Sequence, residues 1–215
     1  MYMGLILDDE PLGDGDPFNC YFDYDASGNN TVDFGFYNPD YVSNTPTCQT
    51  IEILDGWSSL STYMLAENME IDIVLDQITE HIIVVKDYLG NAYLPEYLFN
   101  GIGTMDVGQG YQIKSSEEVS IEICGDYAFP EDNVIILEDG WNLVGYLRTE
   151  PADIVAVLSD VNDAGNLIIV KDYIGNVYFP SLNYNGIGTM KPGHAYTLKT
   201  ENATLLQYLS NDESY

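Results

Sequence analysis

Short alternations of apolar and polar residues recur along the chain and predict strands. Ile51 and Ile53 flank a glutamate, and residues 119–123 alternate in the same way, which is typical of a strand with one buried face. Continuous apolar stretches at 82–85 and 167–170 predict buried strands. We expect 51–53 to pair with the stretch that follows Gly56, and 111–114 to form a hairpin with 119–123.

A longer period, typical of an amphipathic helix, occurs once in each half of the chain. The apolar residues that share one helical face are Ile71, Val74, Leu75 and Ile78 in the first segment, and Ile154, Val157, Leu158 and Val161 in the second. Pro151 and Asp153 predict the first turn of the second helix. A glycine turn then returns the chain from each buried strand as a hairpin.

The same pattern returns because the sequence itself repeats. Comparison of residues 85–113 with 170–198 gives 16 identities in 29 positions, and residues 100–105 return unchanged as 185–190. The pair Gly56-Trp57 matches Gly140-Trp141 at a shift of 84. A fixed shift over this length indicates a tandem duplication.

These patterns predict a mainly β fold of the α+β class. We expect two tandem homologous small antiparallel β domains with one short helix each, at 51–130 and 131–215. An irregular segment rich in Asp, Gly and Pro precedes them at 1–50. The join near Pro130 is short, which predicts that the two copies touch.

Charge narrows the range of partners. The 215 residues include 35 acidic and 6 basic side chains, for a formal net charge of −29. Binding to nucleic acid or to an anionic membrane draws mainly on Lys and Arg, so we expect neither. No apolar run is long enough to span a membrane, and residues 1–10 lack the features of a signal peptide. We therefore expect either a protein that stays in the cytosol until assembled or released, or a sequence that lacks its export signal.

Residues kept in both copies are candidates for structure or function. Trp57 and Trp141 are expected as core anchors, with an aromatic platform for sugars as the alternative. Lys86 and Lys171 are expected in structural salt bridges, with a catalytic base or Schiff-base lysine as the alternative. We expect the repeated glycines to serve turns that need positive φ. The repeated structural positions are Gly56, Trp57, Lys86, Asp87, Gly90, Gly101, Gly103, Tyr111, Gly140, Trp141, Lys171, Asp172, Gly175, Gly186, Gly188 and Tyr196.

No recurring constellation predicts catalysis. His81 and His194 have no histidine counterpart in the other copy, and no repeated Ser or Cys nucleophile lies near the repeated lysine. The sequence contains no phosphate-binding loop, HExxH or GxSxG motif. We therefore expect no catalytic residues and no organic cofactor. A glycosidase that uses two carboxylates is the enzymatic alternative, but no spacing singles out a pair.

The best metal candidate lies in the N-terminal segment. Residues 23–33 place oxygen ligands at alternate positions and a glycine at the sixth, like the start of a calcium loop. Phe34 stands where an EF-hand has its last glutamate, so an ordinary Asx-rich turn is the alternative. The candidate Ca²⁺ ligands are Asp23, Asp25, Ser27, Asn29 and Asp33.

Three cysteines leave the redox state open. Cys20 and Cys48 could form a disulfide in an oxidising environment, which would leave Cys124 over. Free buried thiols are the alternative. No pair has CxxC spacing, so we expect no zinc site.

The repeated motifs also resemble a known type of module. Gly-Trp, Val-Lys-Asp-Tyr-x-Gly-Asn-x-Tyr-x-Pro, Asn-Gly-Ile-Gly-Thr-Met and Gly-x-Gly-Tyr together resemble a tandem β module of marine phage virion proteins, cyanophages in particular, and of surface proteins of aquatic bacteria. Copy two departs from the last motif with Ala195 before Tyr196. The resemblance implies a structural or adhesive role without catalytic residues.

Two functional hypotheses follow. The first is a non-enzymatic structural protein of a phage virion, as a decoration, neck or fibre-associated component, whose partners are other virion proteins and copies of itself. The alternative is an extracellular adhesin or carbohydrate-binding module of an aquatic bacterium. The acidity, the duplication and the unsignalled N-terminus favour the virion protein.

Overall fold

The computed structural model describes residues 47–214, which belong to one compact unit. Cys20, the predicted calcium loop at 23–33 and most of the predicted segment 1–50 lie outside the described residues. The predicted domain boundary between 130 and 131 stays a prediction. Below, copy one means the first repeat together with the strand residues from 47, and copy two means the second repeat.

Copy one contains eight strands and one short α-helix. The helix, α1, spans Ile71–Val74 and is followed by a 3-10 helix at Asp76–His81, and a second 3-10 turn covers Pro95–Tyr97. The strands are β1 (Thr47–Ile53), β2 (Gly56–Leu60), β3 (Met64–Leu65), β4 (Ile82–Lys86), β5 (Ala92–Leu94), β6 (Phe99–Asn100), β7 (Tyr111–Ser115) and β8 (Val119–Tyr127).

Copy two repeats this plan with nine strands. Its helices are α2 (Ile154–Val157) and α3 (Ser159–Asp163), and 3-10 turns cover Pro130–Asp132 and Pro180–Leu182. The strands are β9 (Ile135–Leu137), β10 (Gly140–Gly145), β11 (Ala152–Asp153), β12 (Leu167–Lys171), β13 (Val177–Phe179), β14 (Tyr184–Asn185), β15 (Thr189–Met190), β16 (Ala195–Thr200) and β17 (Thr204–Leu206).

Each copy builds the same five-stranded antiparallel sheet. The strand order is β2-β7-β4-β5-β6 in copy one and β10-β16-β12-β13-β14 in copy two. Equivalent strands therefore occupy equivalent places, and β4 with β5, like β12 with β13, forms the hairpin that the glycine turn predicts. The expectation of a mainly antiparallel β fold with few short helices is confirmed.

Two predicted strand pairs are wrong. β1 pairs with β8 and β2 pairs with β7, so neither β1–β2 nor β7–β8 is a hairpin. The chain instead crosses between layers, because β1, β8 and β3 form a second sheet over the same core. Alternation in a sequence identifies the buried face of a strand but not its partner.

The predicted helical faces are confirmed, but the start of the second helix is not. All eight apolar residues of the two faces are buried. α2 begins at Ile154, and the side chain of Asp153 caps it by accepting hydrogen bonds from the N–H groups of Val155 and Ala156, at 2.8 and 3.3 Å. Pro151 therefore lies before the helix and not in its first turn, because the capping aspartate fixes the helix start.

A pseudo-two-fold axis relates the two copies where they meet. The N–H of Ser61 donates to the carbonyl of Gly193 at 3.0 Å, and the equivalent N–H of Gly145 donates to the equivalent carbonyl of Gly108 at 2.9 Å. Each copy keeps its own apolar core, and Tyr63 packs against both. The contact is thus isologous, as in a symmetric dimer, although both halves belong to one chain.

Close packing at this axis limits departures from the Gly-x-Gly-Tyr motif to one of the two copies. A Cβ at Gly110 would lie 2.5 Å from the Cβ of Ala195, its counterpart in the other copy. Carbon atoms in contact prefer a separation of about 3.5–4.0 Å. Only one of the two equivalent positions can therefore carry a side chain.

Candidate functional site

The two tryptophans lie at the surface, so their prediction as core anchors is wrong. Trp57 is 46% exposed and Trp141 is 50% exposed. In β2, Ser58 and Leu60 are buried on the core side, and alternation places Trp57 on the opposite face. In β10, Asn142 and Val144 are buried on the core side, so Trp141 lies on the opposite face. Each copy thus presents one indole on the outer face of its five-stranded sheet.

Two lysines from the next two strands of the sheet approach each exposed indole. In copy one the Nζ atoms of Lys86 and Lys114 lie 5.5 and 5.9 Å from the ring centroid of Trp57. In copy two the Nζ atoms of Lys171 and Lys199 lie 4.8 and 5.8 Å from that of Trp141. The strands fix this arrangement, since Trp57 pairs directly with Lys114 and Trp141 pairs with Lys199. We name each group of one indole and two ammoniums a Trp–Lys cluster.

The predicted salt bridge of the repeated lysines is also wrong. The ion pairs within residues 47–214 both involve His81, with Glu80 and Glu117. Lys86 and Lys171 approach an indole instead, since each lies on the outer face of β4 or β12, two strands away from its tryptophan. The aspartate that follows each lysine serves the next turn.

That turn explains the repeated Asp-Tyr-x-Gly-Asn motif. The side chain of Asp87 accepts hydrogen bonds from the N–H and the amide of Asn91, at 2.8 and 2.7 Å. Asp172 accepts from Asn176 at the same distances. Both carboxylates are therefore structural, and they hold the β4–β5 and β12–β13 turns beside the Trp–Lys clusters.

The repeated Tyr111 and Tyr196 are buried structural residues. The hydroxyl of Tyr111 accepts the N–H of Asp106 at 2.8 Å, and that of Tyr196 accepts the N–H of Lys191 at 2.9 Å. Burial raises the pKa of each phenol to about 12. Neither tyrosine is placed to exchange a proton near neutral pH.

The repeated glycines are structural for two different reasons. The predicted positive φ is confirmed at most of them, as at Gly56 and its counterpart Gly140, with φ of 82° and 91°. Gly101 and Gly186 are exceptions, since neither has a positive φ. Each lies close to an aromatic ring that leaves no room for a side chain. A Cβ at Gly101 would lie 2.9 Å from the ring of Phe99. The other repeated positions with positive φ are Gly90, Gly103, Gly175 and Gly188.

A cleft lined by both copies opens beside the second Trp–Lys cluster. Its volume is about 290 Å³, and it is lined by one lysine and one carboxylate together with aromatic and neutral side chains of both copies. The lining includes Gln112 of copy one and Trp141, Lys171, Asp172, Tyr173 and Thr197 of copy two. We name it the copy-two cleft. A larger cleft of about 570 Å³ lies between α1 and β8, and its lining includes Glu67 and Glu122 but no cation.

His194 supports the wall of the copy-two cleft. Its ring stacks on Tyr173 with centroids 5.6 Å apart and planes 3° from parallel. Its Nδ1 lies 3.5 Å from the Oγ of Ser59, a hydroxyl that also accepts the N–H of Ala195 at 3.1 Å. Burial lowers the pKa of His194, and the nearby Lys191 lowers it further, while Asp172 raises it. Ser59 and His194 therefore join the two copies as neutral groups.

Each copy also exposes apolar side chains at the edge strand of its sheet. Tyr97 is 70% exposed, and Leu98 is 96% exposed with a positive φ of 52°. Leu182 is 71% exposed, and its neighbour Asn183 takes the same left-handed conformation as Leu98. We name these surfaces the apolar edges; they comprise Tyr97, Leu98 and Phe99 in copy one, and Leu182 and Tyr184 in copy two.

The disulfide differs from the pair considered from the sequence. Cys48 bonds Cys124, its direct cross-strand neighbour in the β1–β8 pair. The pair Cys20–Cys48 is thereby excluded, because β-sheet register places Cys48 opposite Cys124. Cys20 is left as the remaining cysteine.

The predicted metal site lies outside the described residues. The candidate Ca²⁺ ligands between Asp23 and Asp33 lie there, so that prediction stays a prediction. Within residues 47–214, no group of three or more His, Cys, Asp or Glu side chains could hold a metal ion. No helix in that same range is long and apolar enough to cross a membrane.

Sequence reasoning missed one of the two lysines of each Trp–Lys cluster. Lys114 and Lys199 are also related by a shift of 85, which extends the matched stretch by one residue. The alternation in β2 and β10, read from the buried Leu60 and Val144, would have placed both indoles outside.

No protein-family model, curated protein or solved structure matches this chain.

Proposed function

We propose that this chain is a non-enzymatic structural protein that acts through protein–protein contacts, including contacts with further copies of itself. The motif resemblance suggests a phage virion as its place, in a decoration, neck or fibre-associated position. The observation that carries the proposal is the pair of apolar edges, because both copies expose them at the same position of the fold.

The edges contain a residue that folding alone does not favour. Leu98 is almost fully exposed and adopts a left-handed conformation, which costs a residue with a Cβ about 1–2 kcal/mol. Asn183, at the same position of copy two, is of the type that tolerates this conformation. An exposed, strained leucine gains nothing from its own core, whereas it gains free energy when a partner covers it.

The pseudo-two-fold axis gives the molecule two equivalent ends, each with one apolar edge. β6 and β14 are the outermost strands of the two sheets, and each carries one apolar edge. An edge strand offers unpaired backbone groups as well as side chains to a partner. A protein with two equivalent ends can join two neighbours, which suits a component of a repeating assembly.

Light scattering across a range of concentrations tests the proposal. We expect a defined oligomer of the wild-type chain, and a shift towards monomer in a Leu98→Asn/Leu182→Ser variant, because both ends then lose apolar area. Leu98→Asn installs the copy-two residue, so we expect its thermal stability to be unchanged or higher.

Ile136→Ser is the matched control, since Ile136 is 70% exposed but lies on β9, away from the apolar edges. We expect it to leave the oligomer intact. A wild-type chain that stays monomeric at every concentration, or an oligomer indifferent to the edge variant, contradicts assembly through these edges.

The exposed indoles favour the second candidate function, an extracellular adhesin or carbohydrate-binding module, and the disulfide is compatible with both candidates. A disulfide such as Cys48–Cys124 persists in oxidising surroundings, which an extracellular protein and a released virion share. Exposed tryptophans suit a ligand surface.

A further inference from the structure

We propose that the copy-two cleft binds an acidic sugar, that is, a saccharide bearing a carboxylate or a sulfate group. The proposal concerns the outer sheet face around Trp141 and not the apolar edges. It rests on the second candidate function, a carbohydrate-binding module, and names the ligand class; it is independent of assembly through the apolar edges.

The basic residues of the chain are concentrated at its two tryptophans. The chain has 6 basic and 35 acidic side chains, and four of the six basic residues are the lysines of the two Trp–Lys clusters. With so many carboxylates available, unpaired lysines are unexpected by chance. Nevertheless, within residues 47–214 none of the four lies in an ion pair. Two ammoniums that approach one indole and lie in no ion pair can bind an anionic ligand. The one carboxylate that lines the copy-two cleft, Asp172, accepts hydrogen bonds from Asn176.

The indole of Trp141 offers an aromatic surface to a sugar ring. Trp141 is half exposed, and its ring approaches Lys171 and Lys199 at 4.8 and 5.8 Å. The face of an aromatic ring carries negative charge, so it attracts both the ammoniums and the weakly positive C–H face of a sugar ring. The ring contacts hold the lysines in place before a ligand arrives, which lowers the entropic cost of binding.

The size and polarity of the copy-two cleft suit a sugar. Its volume of about 290 Å³ lies at the lower end of small-molecule sites, which start at roughly 300 Å³. That size suits a single sugar residue of a longer chain. Thr197 and Gln112 add neutral hydrogen-bonding groups from two different copies, which suits the hydroxyls of a saccharide.

The net charge of −29 opposes an anionic ligand at long range, whereas locally the two ammoniums at Trp141 outnumber the one carboxylate of the cleft lining, Asp172. At about 0.15 M salt the screening length is about 8 Å, so remote carboxylates are largely screened. Both ammoniums of the cluster lie within 5.8 Å of the ring centroid and therefore act inside that length. Binding is thus expected at physiological salt, where the attraction is local.

Fluorescence gives a direct readout because the chain has only two tryptophans. In a Trp57→Phe background, Trp141 alone reports. The probes are an oligogalacturonate for the carboxylate, a heparin oligosaccharide for the sulfate, a neutral malto-oligosaccharide, and polyglutamate as an anion without sugar. We expect at least one acidic oligosaccharide to change the emission of Trp141 and to bind saturably.

Lys171→Gln/Lys199→Gln is expected to weaken that binding by about tenfold or more. Lys191→Gln removes one positive charge from an exposed position outside both clusters, so its match is the single variant Lys171→Gln, and it should leave the affinity unchanged. Circular dichroism of the variants separates lost binding from lost folding.

Each other outcome overturns the proposal. If none of the acidic oligosaccharides binds, the cleft is no such site. If the neutral oligosaccharide binds equally well, the lysines do not recognise an anion. If polyglutamate binds as tightly as the sugars, the face recognises acidic protein instead. If Lys191→Gln weakens binding as much as the cleft variant does, the attraction is not local.

Discussion

Gly110 and Ala195 occupy the same position in the two copies and meet at the pseudo-two-fold axis. The Cβ that Gly110 lacks would lie 2.5 Å from the Cβ of Ala195 and 3.0 Å from the Cγ of Leu143. The backbone N–H of Gly110 also donates to the carbonyl of Leu143 at 3.1 Å, so the backbone cannot withdraw without losing that bond. One missing methyl group therefore sets how closely the copies approach.

Substitution of this pair gives the first prediction. We expect Gly110→Ala to lower the free energy of unfolding by about 1–3 kcal/mol, because the new methyl group overpacks the axis. Ala195→Gly should cost about 1 kcal/mol through lost burial and greater backbone freedom. The measurement is urea unfolding followed by tryptophan fluorescence.

The double variant is the internal control. Gly110→Ala/Ala195→Gly moves the methyl group to the other copy, so its cost should be clearly smaller than the sum of the two single costs. A residual loss should remain, because the Cγ of Leu143 stays close. Strictly additive costs would show that the two positions do not compete for the same space.

The alternation in the sequence predicts the exposure of the two tryptophans better than their residue type does. Burial of Leu60 and Val144 together with two-residue alternation predicts exposed indoles, whereas the general tendency of tryptophan to be buried predicts the opposite. The lysine contacts could not be predicted, because they depend on which strands are neighbours. Lys86 lies 29 residues from Trp57 in the chain but on the same sheet face.

The β1–β8 pair is the element that closes copy one. Its register aligns seven residue pairs, from Thr47 with Gly125 to Ile53 with Val119, and includes the disulfide Cys48–Cys124. Ile51, Ile53, Ile121 and Ile123 from these strands are buried in the first core. Copy two closes its core with the shorter pair β9–β17, which has three residue pairs and no cysteine.

Removal of the disulfide gives the element-scale prediction. The bond closes a loop with a sequence separation of 76 residues, so we expect Cys48→Ser/Cys124→Ser to lose about 2–4 kcal/mol of stability. The comparison is urea unfolding of this variant against the oxidised wild-type chain. A reducing agent should lower the free energy of unfolding of the wild-type chain and leave that of the variant unchanged.

Thiol counting checks the pairing itself. The denatured, unreduced chain should expose one reactive thiol, Cys20, and three after reduction. A Cys20→Ser variant is the control, because its unreduced chain should then expose none. Three thiols in the unreduced wild-type chain would contradict the bond.

Elements were easier to predict than their pairing. The hydrophobic pattern locates β4, β12 and the helical faces, since period and burial are local properties of the sequence. The partners of β1 and β7 were missed because adjacent strands need not pair when the chain crosses to another layer. The short edge strands β6 and β14 have only two residues each, too few to show any period.

At the scale of the whole molecule, charge is the dominant property. A formal charge of −29 on 215 residues gives strong self-repulsion in a compact state. The six basic residues cannot neutralise it, and four of them belong to the Trp–Lys clusters. Counter-ions in solution must therefore carry much of the screening.

The corresponding prediction concerns salt. An increase in NaCl from about 0.01 M to about 1 M shortens the screening length from about 30 to about 3 Å, so we expect the thermal midpoint of unfolding to rise. KCl should act equally, since screening does not depend on the cation. A midpoint that is flat or falls with salt would contradict the dominance of self-repulsion.

The same titration distinguishes screening from the predicted calcium loop. CaCl₂ at matched ionic strength should raise the midpoint further if residues 23–33 bind the ion. Asp25→Asn should remove that additional rise and leave the NaCl effect intact. If CaCl₂ and NaCl raise the midpoint equally, residues 23–33 do not bind calcium and form an ordinary Asx-rich turn instead.

The axis between the copies has a consequence for how such a protein can change. Its two halves form, in effect, a dimer whose subunits cannot separate on dilution, because one backbone tethers them. In a dimer of identical chains, every substitution appears twice, and an alanine at the axis would face itself. The tether removes that constraint: copy two carries Ala195 and the His194–Tyr173 stack while copy one keeps Gly110 and Gln109. Tethering thus lets one half specialise while the other preserves the fit.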